Sequence, residues 1–379
     1  MSSLHDELST HGQIVLCLQG GGALGAYQVG VFEALDEAGI APDWIVGTSI
    51  GAINAGIIAG SKPGERMEKL RDFWKRVERD KFMGVPLPDW FSAAARNMLS
   101  IGTGVPAFFQ PRPAAFFSPH APLGGEGAGY YSVQPLADAL SDLIDFDQLN
   151  DGPIRLTVGA ANVHSSEMVY FDSRDRRLEV RHIMASGALP PAFSAVRIDG
   201  ELYWDGGILS NTPVEVVFDD HPRQSGLVFS VHLWNPDGGE PQTIWEVMNR
   251  QKDLQYSSRT ATHIRRQRQL HKLRHVVAEL AAKVPPDASN GNRVAELASY
   301  GCTTQMHVVR LLAPSLPNED HAKDIDFSRD GIAKRWEAGY RHTLETLEKA
   351  PWRGEFDPLE GFILHEAMGG ELVHTVAAE

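Results

Sequence analysis

The sequence predicts an α/β fold built on a mainly parallel sheet, and three observations predict it. Residues 14–18 form a short, wholly apolar run that leads straight into a glycine turn and then a helix-length segment. The same order recurs at residues 44–46, 47–51 and 52–59. Further apolar runs at 154–161 and 227–233 continue the alternation. Short strands without a polar face are those covered on both sides, and β and α alternating along a chain make a parallel sheet.

Taken in order, Ile14-Val15-Leu16-Cys17-Leu18 is the first strand, followed by Gln19 and Gly20-Gly21-Gly22. Residues 26–38 read as a helix with Val29, Phe32 and Leu35 inward, and Gly39 is placed to end it. Trp44-Ile45-Val46 is the second strand, running into Gly47-Thr48-Ser49-Ile50-Gly51 and a helix over 52–59. Residues 65–77 form an amphipathic helix with Met67, Leu70, Trp74 and Val77 on one stripe. From 81 to 131 the texture changes, with nine aromatic residues and seven prolines. Such an insertion is either a lid or a loop packed down by its own rings. Strands are expected at 154–161 and 168–171, and Asp199-Gly200 marks a hairpin turn. Thr212, Pro213 and Glu215 read as N-cap, N1 and N3 of a helix. After a strand at 227–233 the chain is expected to be mostly helical, with one strand at 307–312. A last helix over 328–347 carries Ile332, Trp336, Tyr340, Leu344 and Leu347 on one face.

Composition narrows the function. The chain has 379 residues, 42% of them apolar, and a net charge of −14. An acidic chain repels a phosphate backbone, so nucleic acid is not an expected partner. Cys17 and Cys302 cannot form a disulfide framework, and neither has a metal-ligand neighbour at useful spacing. No metal or cofactor is called for. The first ten residues lack a secretory pattern and no run is long enough to span a bilayer, so a cytoplasmic protein is expected.

The chemistry concentrates at the glycine turns. Gly20, Gly22 and Gly25 fit G-x-G-x-x-G between a strand and a helix, the setting of a dinucleotide site. That reading also needs an acid at the end of the second strand. Asp43 precedes that strand and Asp36 lies within the helix, so a nicotinamide- or flavin-dependent oxidoreductase is the weaker alternative. The same glycines can converge backbone N–H groups on one point as an oxyanion hole. Gly47-Thr48-Ser49-Ile50-Gly51 supplies the matching nucleophile, because G-x-S-x-G at a strand-to-helix turn makes Ser49 project clear of the chain. The N–H of Ile50 then also faces the oxyanion. A serine needs a base. No histidine has a distinctive setting, whereas Asp205-Gly206-Gly207 follows an apolar strand and can approach a serine.

Together, Gly20 to Gly25, Gly47 to Gly51 and Asp205-Gly206-Gly207 resemble the glycine-rich hole, serine elbow and D-G-G/A motif of the patatin-like phospholipases. The stretch Ala185-Ser186-Gly187-Ala188-Leu189-Pro190-Pro191-Ala192-Phe193 is similar to that family's A-S-x-A-x-P-x-x-F. The resemblance covers about residues 12–235. It implies a three-layer α/β/α fold and a Ser–Asp dyad, with Ser49 as nucleophile, Asp205 as base, and Gly21 and Gly22 as main oxyanion donors. One departure is Leu24, where many members carry Arg or Lys. The implied activity is hydrolysis of a lipid ester through an acyl-enzyme, with a non-catalytic lipid-binding scaffold as a second alternative. Residues 1–11 are expected to be a tail, 12–235 the catalytic domain and 236–379 a mostly helical extension. Within the extension, Arg259, Arg265, Arg266, Arg268, Lys272 and Arg274 form a basic stretch. It reads as either a solvated face or a contact with an anionic lipid surface. Nothing in the sequence speaks to oligomeric state.

Overall fold

The computed structural model describes residues 4–79, 81–82, 85–86, 102–105, 107–285, 291–316, 319, 321–357, 359–368 and 371–374. Its centre is a ten-stranded sheet. The strands are β1 (Gln13–Leu18), β2 (Trp44–Thr48), β3 (Arg155–Asn162), β4 (Met168–Asp172), β5 (Val196–Ile198), β6 (Glu201–Asp205), β7 (Gly226–His232), β8 (Met306–Leu312), β9 (Phe362–Met368) and β10 (Glu371–His374). Their order is β10-β9-β8-β7-β1-β2-β3-β6-β5, with β4 also on β3. From β9 to β3 all neighbours run parallel. The antiparallel strands lie at the two margins.

Alternation along the central strands sends side chains to two separate cores. Ile14, Leu16 and Leu18 of β1 join Ile45, Leu227 and Phe229 on one face. Val15 and Cys17 join Trp44, Val46, Val228 and Val308 on the other. The first core is covered by α1 (Ala26–Glu37), α2 (Ile50–Ala59), α3 (Arg66–Val77) and α7 (Arg329–Lys349). Between these in sequence come α4 (Gln134–Leu143), α5 (Val180–Ser186) and α6 (Ile244–Lys283). The second core receives Val214, Val217 and Phe218 together with Ile264 of α6. The result is the three-layer α/β/α arrangement, with a helical region following β7.

Three expectations are corrected. The segment after residue 236 is mostly helical, as expected, but it holds more than one strand: β9 and β10 extend the same sheet beyond β8. Thr212 is not a helix N-cap. The helix there is one turn, Glu215–Phe218, without a side-chain cap. Thr212 Oγ instead accepts from Gln19 Nε2 at 2.7 Å, and Glu215 accepts from the Tyr170 hydroxyl at 2.6 Å. Buried long-range partners outweigh a local cap that water can replace. Finally, only part of the expected stripe on α7 is buried. Gly331, Ile332, Ala338, Gly339, Thr343 and Leu347 are buried, while Trp336 and Tyr340 sit at the rim, donating to Glu33 and Glu37 of α1. Small residues let the backbones approach: a Cβ on Gly30 would strike the Trp336 carbonyl, and one on Gly339 the Tyr27 carbonyl.

In the aromatic insertion, Phe108, Phe109 and Tyr131 are buried. Phe109 meets Tyr131 with ring centroids 4.9 Å apart and Phe193 at 5.6 Å. Residues 83–84, 87–101 and 106 of that insertion lie outside the described residues.

Candidate active site

Ser49 stands between β2 and α2 with φ 56° and ψ −124°, a conformation that costs an L-residue energy and must be enforced by its surroundings. Its N–H donates to Ser186 Oγ at 3.0 Å, and the Ser186 hydroxyl donates to the Gly159 carbonyl at 2.6 Å. The flanking glycines are a packing requirement. A Cβ on Gly47 would lie 2.5 Å from the Gly51 carbonyl oxygen, and one on Gly51 would strike the Leu18 carbonyl. Only with both positions bare can the chain fold back this tightly over β1.

Strand register brings Asp205 to the serine. β2 pairs with β3 up to Thr48 opposite Gly159. β4 takes the other edge of β3, pairing with 157–161. β6 therefore continues the edge that β2 has left, and Asp205 lies opposite Ala160, the next residue along β3. Asp205 is 2% exposed, and its Oδ1 accepts from the Gly207 N–H at 2.7 Å. Ser49 lines the same cavity as Asp205, and its hydroxyl is near enough to favour the ionised carboxylate. Burial pushes the Asp205 carboxyl up to about 7, against the opposing pull of Ser49 and of the Gly207 N–H.

The glycine turn lies alongside. Gly21 and Gly22 line the same cavity as Ser49 and Ile50, and Gly22 takes a φ of +55° where its Cβ would strike the Asp324 carbonyl. The Gly20 N–H is spent on the Asn211 carbonyl at 3.2 Å, so it belongs to the scaffold. Gln19, fully buried, anchors the turn from beneath. Its Oε1 accepts from the N–H groups of Leu233 and Trp234, and its Nε2 donates to Thr212 and the Tyr256 carbonyl. Gln28 donates to the Gln19 carbonyl, and Asn54 joins Gln28 to the Gly25 carbonyl.

Above these groups opens a cavity of about 250 Å³. Its walls are mainly apolar and aromatic, including Phe108, Phe109, Tyr131, Phe193, Trp234 and Phe327. Ser49, Asp205 and Asn211 lie at its polar end, and Asp324 and Tyr256 form part of the wall contributed by the C-terminal third. Among the described residues, no group of three or more His, Cys, Asp or Glu side chains gathers to hold a metal ion.

Residues 16–218 match the family model described as patatin-like phospholipase. The chain belongs to the patatin-like phospholipase family. A second model, described as patatin phospholipase, matches residues 254–359. Relatives include an uncharacterized NTE family protein of Mycobacterium tuberculosis, 25% identical over 247 residues, covering 64% of this chain and 56% of the relative. Human patatin-like phospholipase domain-containing protein 6 is 26% identical over 212 residues, covering 55% of this chain and 12% of that protein. The chain thus spans about half the length of the mycobacterial relative it matches. Among solved structures, VipD of Legionella pneumophila covers 89% of this chain and 67% of its own, at 16% identity and a TM-score of 0.39.

In this patatin-like chain the glycine turn does not fit a dinucleotide. Ser49, not an acid, follows β2, and the Asp324 carbonyl closes against Gly22 where a pyrophosphate would lie. Leu24 faces away from the main cavity into a smaller hollow with Tyr27, Leu233, Lys323 and Arg335. The two cations there come from the C-terminal third and are both paired, Lys323 with Asp253 at 2.7 Å and Arg335 with Glu319 at 3.2 Å. The basic stretch is not one open patch either. Arg268 pairs with Glu360 and Arg274 with Asp219, Ile264 is buried, and Arg265, Arg266 and Lys272 are exposed. The side chain of Arg259 lies outside the described residues.

Sequence reasoning missed Gln19, Ser186, Asn211, Tyr256 and Asp324. Gln19 and Asn211 adjoin the glycine motifs, and Ser186 lies in the A-S-x-A stretch. Tyr256 and Asp324 carry no local signal, because only the path of the C-terminal third brings them to the cavity.

Proposed function

We infer that this chain is a serine acyl hydrolase acting on a lipid carboxylic ester. The observation that carries the reading is that Ser49 and Asp205 line one apolar, aromatic-walled cavity, with Ser49 near enough to act on the buried carboxyl. Ser49 Oγ attacks the ester carbonyl while Asp205 takes its proton, and the backbone N–H groups of Gly21, Gly22 and Ile50 hold the resulting oxyanion. The tetrahedral adduct collapses, the C–O bond to the alcohol breaks, and the alcohol leaves with the proton from Asp205. Water then attacks the acyl-enzyme, giving its proton to the same carboxylate, which passes it to Ser49 Oγ as the acyl–oxygen bond breaks and the fatty acid leaves. A carboxylate whose pKa lies near 7 suits this exchange, because it gains and loses the proton at comparable cost. The apolar walls match an acyl chain rather than a polar acyl group.

The experiment is labelling of the purified protein with a fluorophosphonate, the adduct being located by mass spectrometry. The expected adduct is on Ser49, lost in Asp205→Ala. Full esterase activity in Ser49→Ala would overturn the reading.

A further inference from the structure

Helix α6 is 40 residues long, and its first turns stand beside the cavity. Arg250 donates to the carbonyls of Asn235 and Pro236, and Lys252 pairs with Asp324 at 2.6 Å. The Trp245 ring lies 4.1 Å from that of His321, centroid to centroid. These turns are therefore held against the body of the chain, with Asp253 and Ser257 buried. The opposite side is open. Ile244 is 78% exposed, Val247 51%, Met248 42% and Leu254 48%. At 100° per residue these four fall within an arc of about 120°. Gln251 and Gln255 share that arc, so the apolar cluster is Ile244, Val247 and Met248 at the helix start, and an apolar cluster left open on a surface marks a place where an apolar partner comes to rest.

The partner is indicated by position and charge. The Met248 edge of the cluster lies about 40° around the helix from Lys252, the partner of the cavity-lining Asp324. The two cations that border it on the helix are spent, Arg250 on the carbonyls of Asn235 and Pro236 and Lys252 on Asp324, and the chain carries a net charge of −14, which opposes an anionic surface. We propose that the first turns of α6 rest on a lipid bilayer without net charge, with Ile244, Val247 and Met248 entering its interfacial layer and the cavity open beside them. This rests on the acyl hydrolase reading, which requires an acyl chain to leave a lipid phase. The far half of α6 also exposes Leu273 and Leu280, among its cations, but it lies at the other end of the sheet. There His271 and His275 meet the Thr304 carbonyl just before β8 begins, whereas Ser49 follows the finishing end of β2. Docking through that half turns the cavity away from the lipid.

The test is co-sedimentation of the full chain with phosphatidylcholine vesicles, at low and high salt, against Ile244→Glu/Val247→Glu/Met248→Glu. These side chains are exposed, so the variant folds. Wild type is expected to bind equally at both salt concentrations, and the triple variant to lose at least about tenfold in partitioning. Its hydrolysis of a short-chain p-nitrophenyl ester in free solution should be unchanged. The proposal is overturned if wild type does not bind these vesicles, or if the triple variant binds as well. It is also overturned if Arg265→Glu/Arg266→Glu/Lys272→Glu or high salt abolishes binding, or if sedimentation shows a wild-type dimer that the triple variant dissolves. Failure of the hydrolase reading shows separately, as absence of the Ser49 adduct, and leaves the vesicle result standing on its own.

Discussion

Replacing Asp205 by Asn should abolish activity and stabilise the protein, and the stabilisation should grow with pH. The carboxyl is fully buried and titrates at about 7, against an ordinary value of 3.8. A raised acid pKa means that the folded state prefers the neutral form. The associated stability is fully present below about 3.8 and declines as pH rises, until the folded carboxyl is itself ionised above 7. Each unit corresponds to about 1.4 kcal/mol, so the wild-type penalty at pH 8 is on the order of 4 kcal/mol, and at pH 5 on the order of 1–2 kcal/mol. Asn keeps an Oδ1 for the Gly207 N–H and removes the charge. Urea denaturation of both proteins at pH 5 and pH 8 should therefore show an advantage for Asp205→Asn that widens by about 2–3 kcal/mol. Ester hydrolysis by wild type should rise with pH through about 7, the window in which its stability falls. In the variant, kcat/KM should drop by at least about 10³-fold. A stability difference independent of pH would refute the reasoning, because it would mean that Asp205 is not held away from water.

Other consequences are simpler to check. Gly51→Ala forces a methyl into the Leu18 carbonyl and should cost at least about 1–3 kcal/mol in urea denaturation, together with the Ser49 conformation and activity. Gln19→Leu leaves the buried N–H groups of Leu233 and Trp234 without their acceptor, a loss of about 2–5 kcal/mol. Steady-state kinetics should show kcat falling more than KM rises, since Gln19 supports the glycine turn and does not line the cavity. Cys17 is fully buried and its thiol is pushed up by that burial, and Cys302 is also buried. A colorimetric thiol reagent should therefore find neither cysteine in the native protein and both after unfolding.

Local signals were legible wherever the nearest neighbours in sequence are also the structural cause. β1, β2 and the turn at Ser49 follow from apolar runs and from glycines that must yield to adjacent backbone. The Asp199-Gly200 hairpin follows from two consecutive positive φ angles, 50° and 90°. Legibility failed where a distant group supplied a stronger partner. Thr212 looked like a cap until Gln19 claimed its hydroxyl, and the large residues of α7 looked like its core face until two glycines drew α1 in. β9, with His365 and Glu366 among its apolar residues, carries no pure strand pattern. It is a strand because β8 offers an open edge.

By itself, then, the sequence determined the two glycine turns, the serine on one of them, and the aspartate–glycine turn that follows β6. Steric demands of that kind act over a few residues and can be read without coordinates. Only the tertiary structure decided that Asp205 meets Ser49, because β6 inherits the edge of β3 that β2 vacates. It also decided that the cavity wall includes Tyr256 and Asp324 and that an apolar stripe of α6 lies open beside it. Pairing of strand edges and packing of helices depend on groups hundreds of residues apart, and no local pattern encodes which of them will arrive.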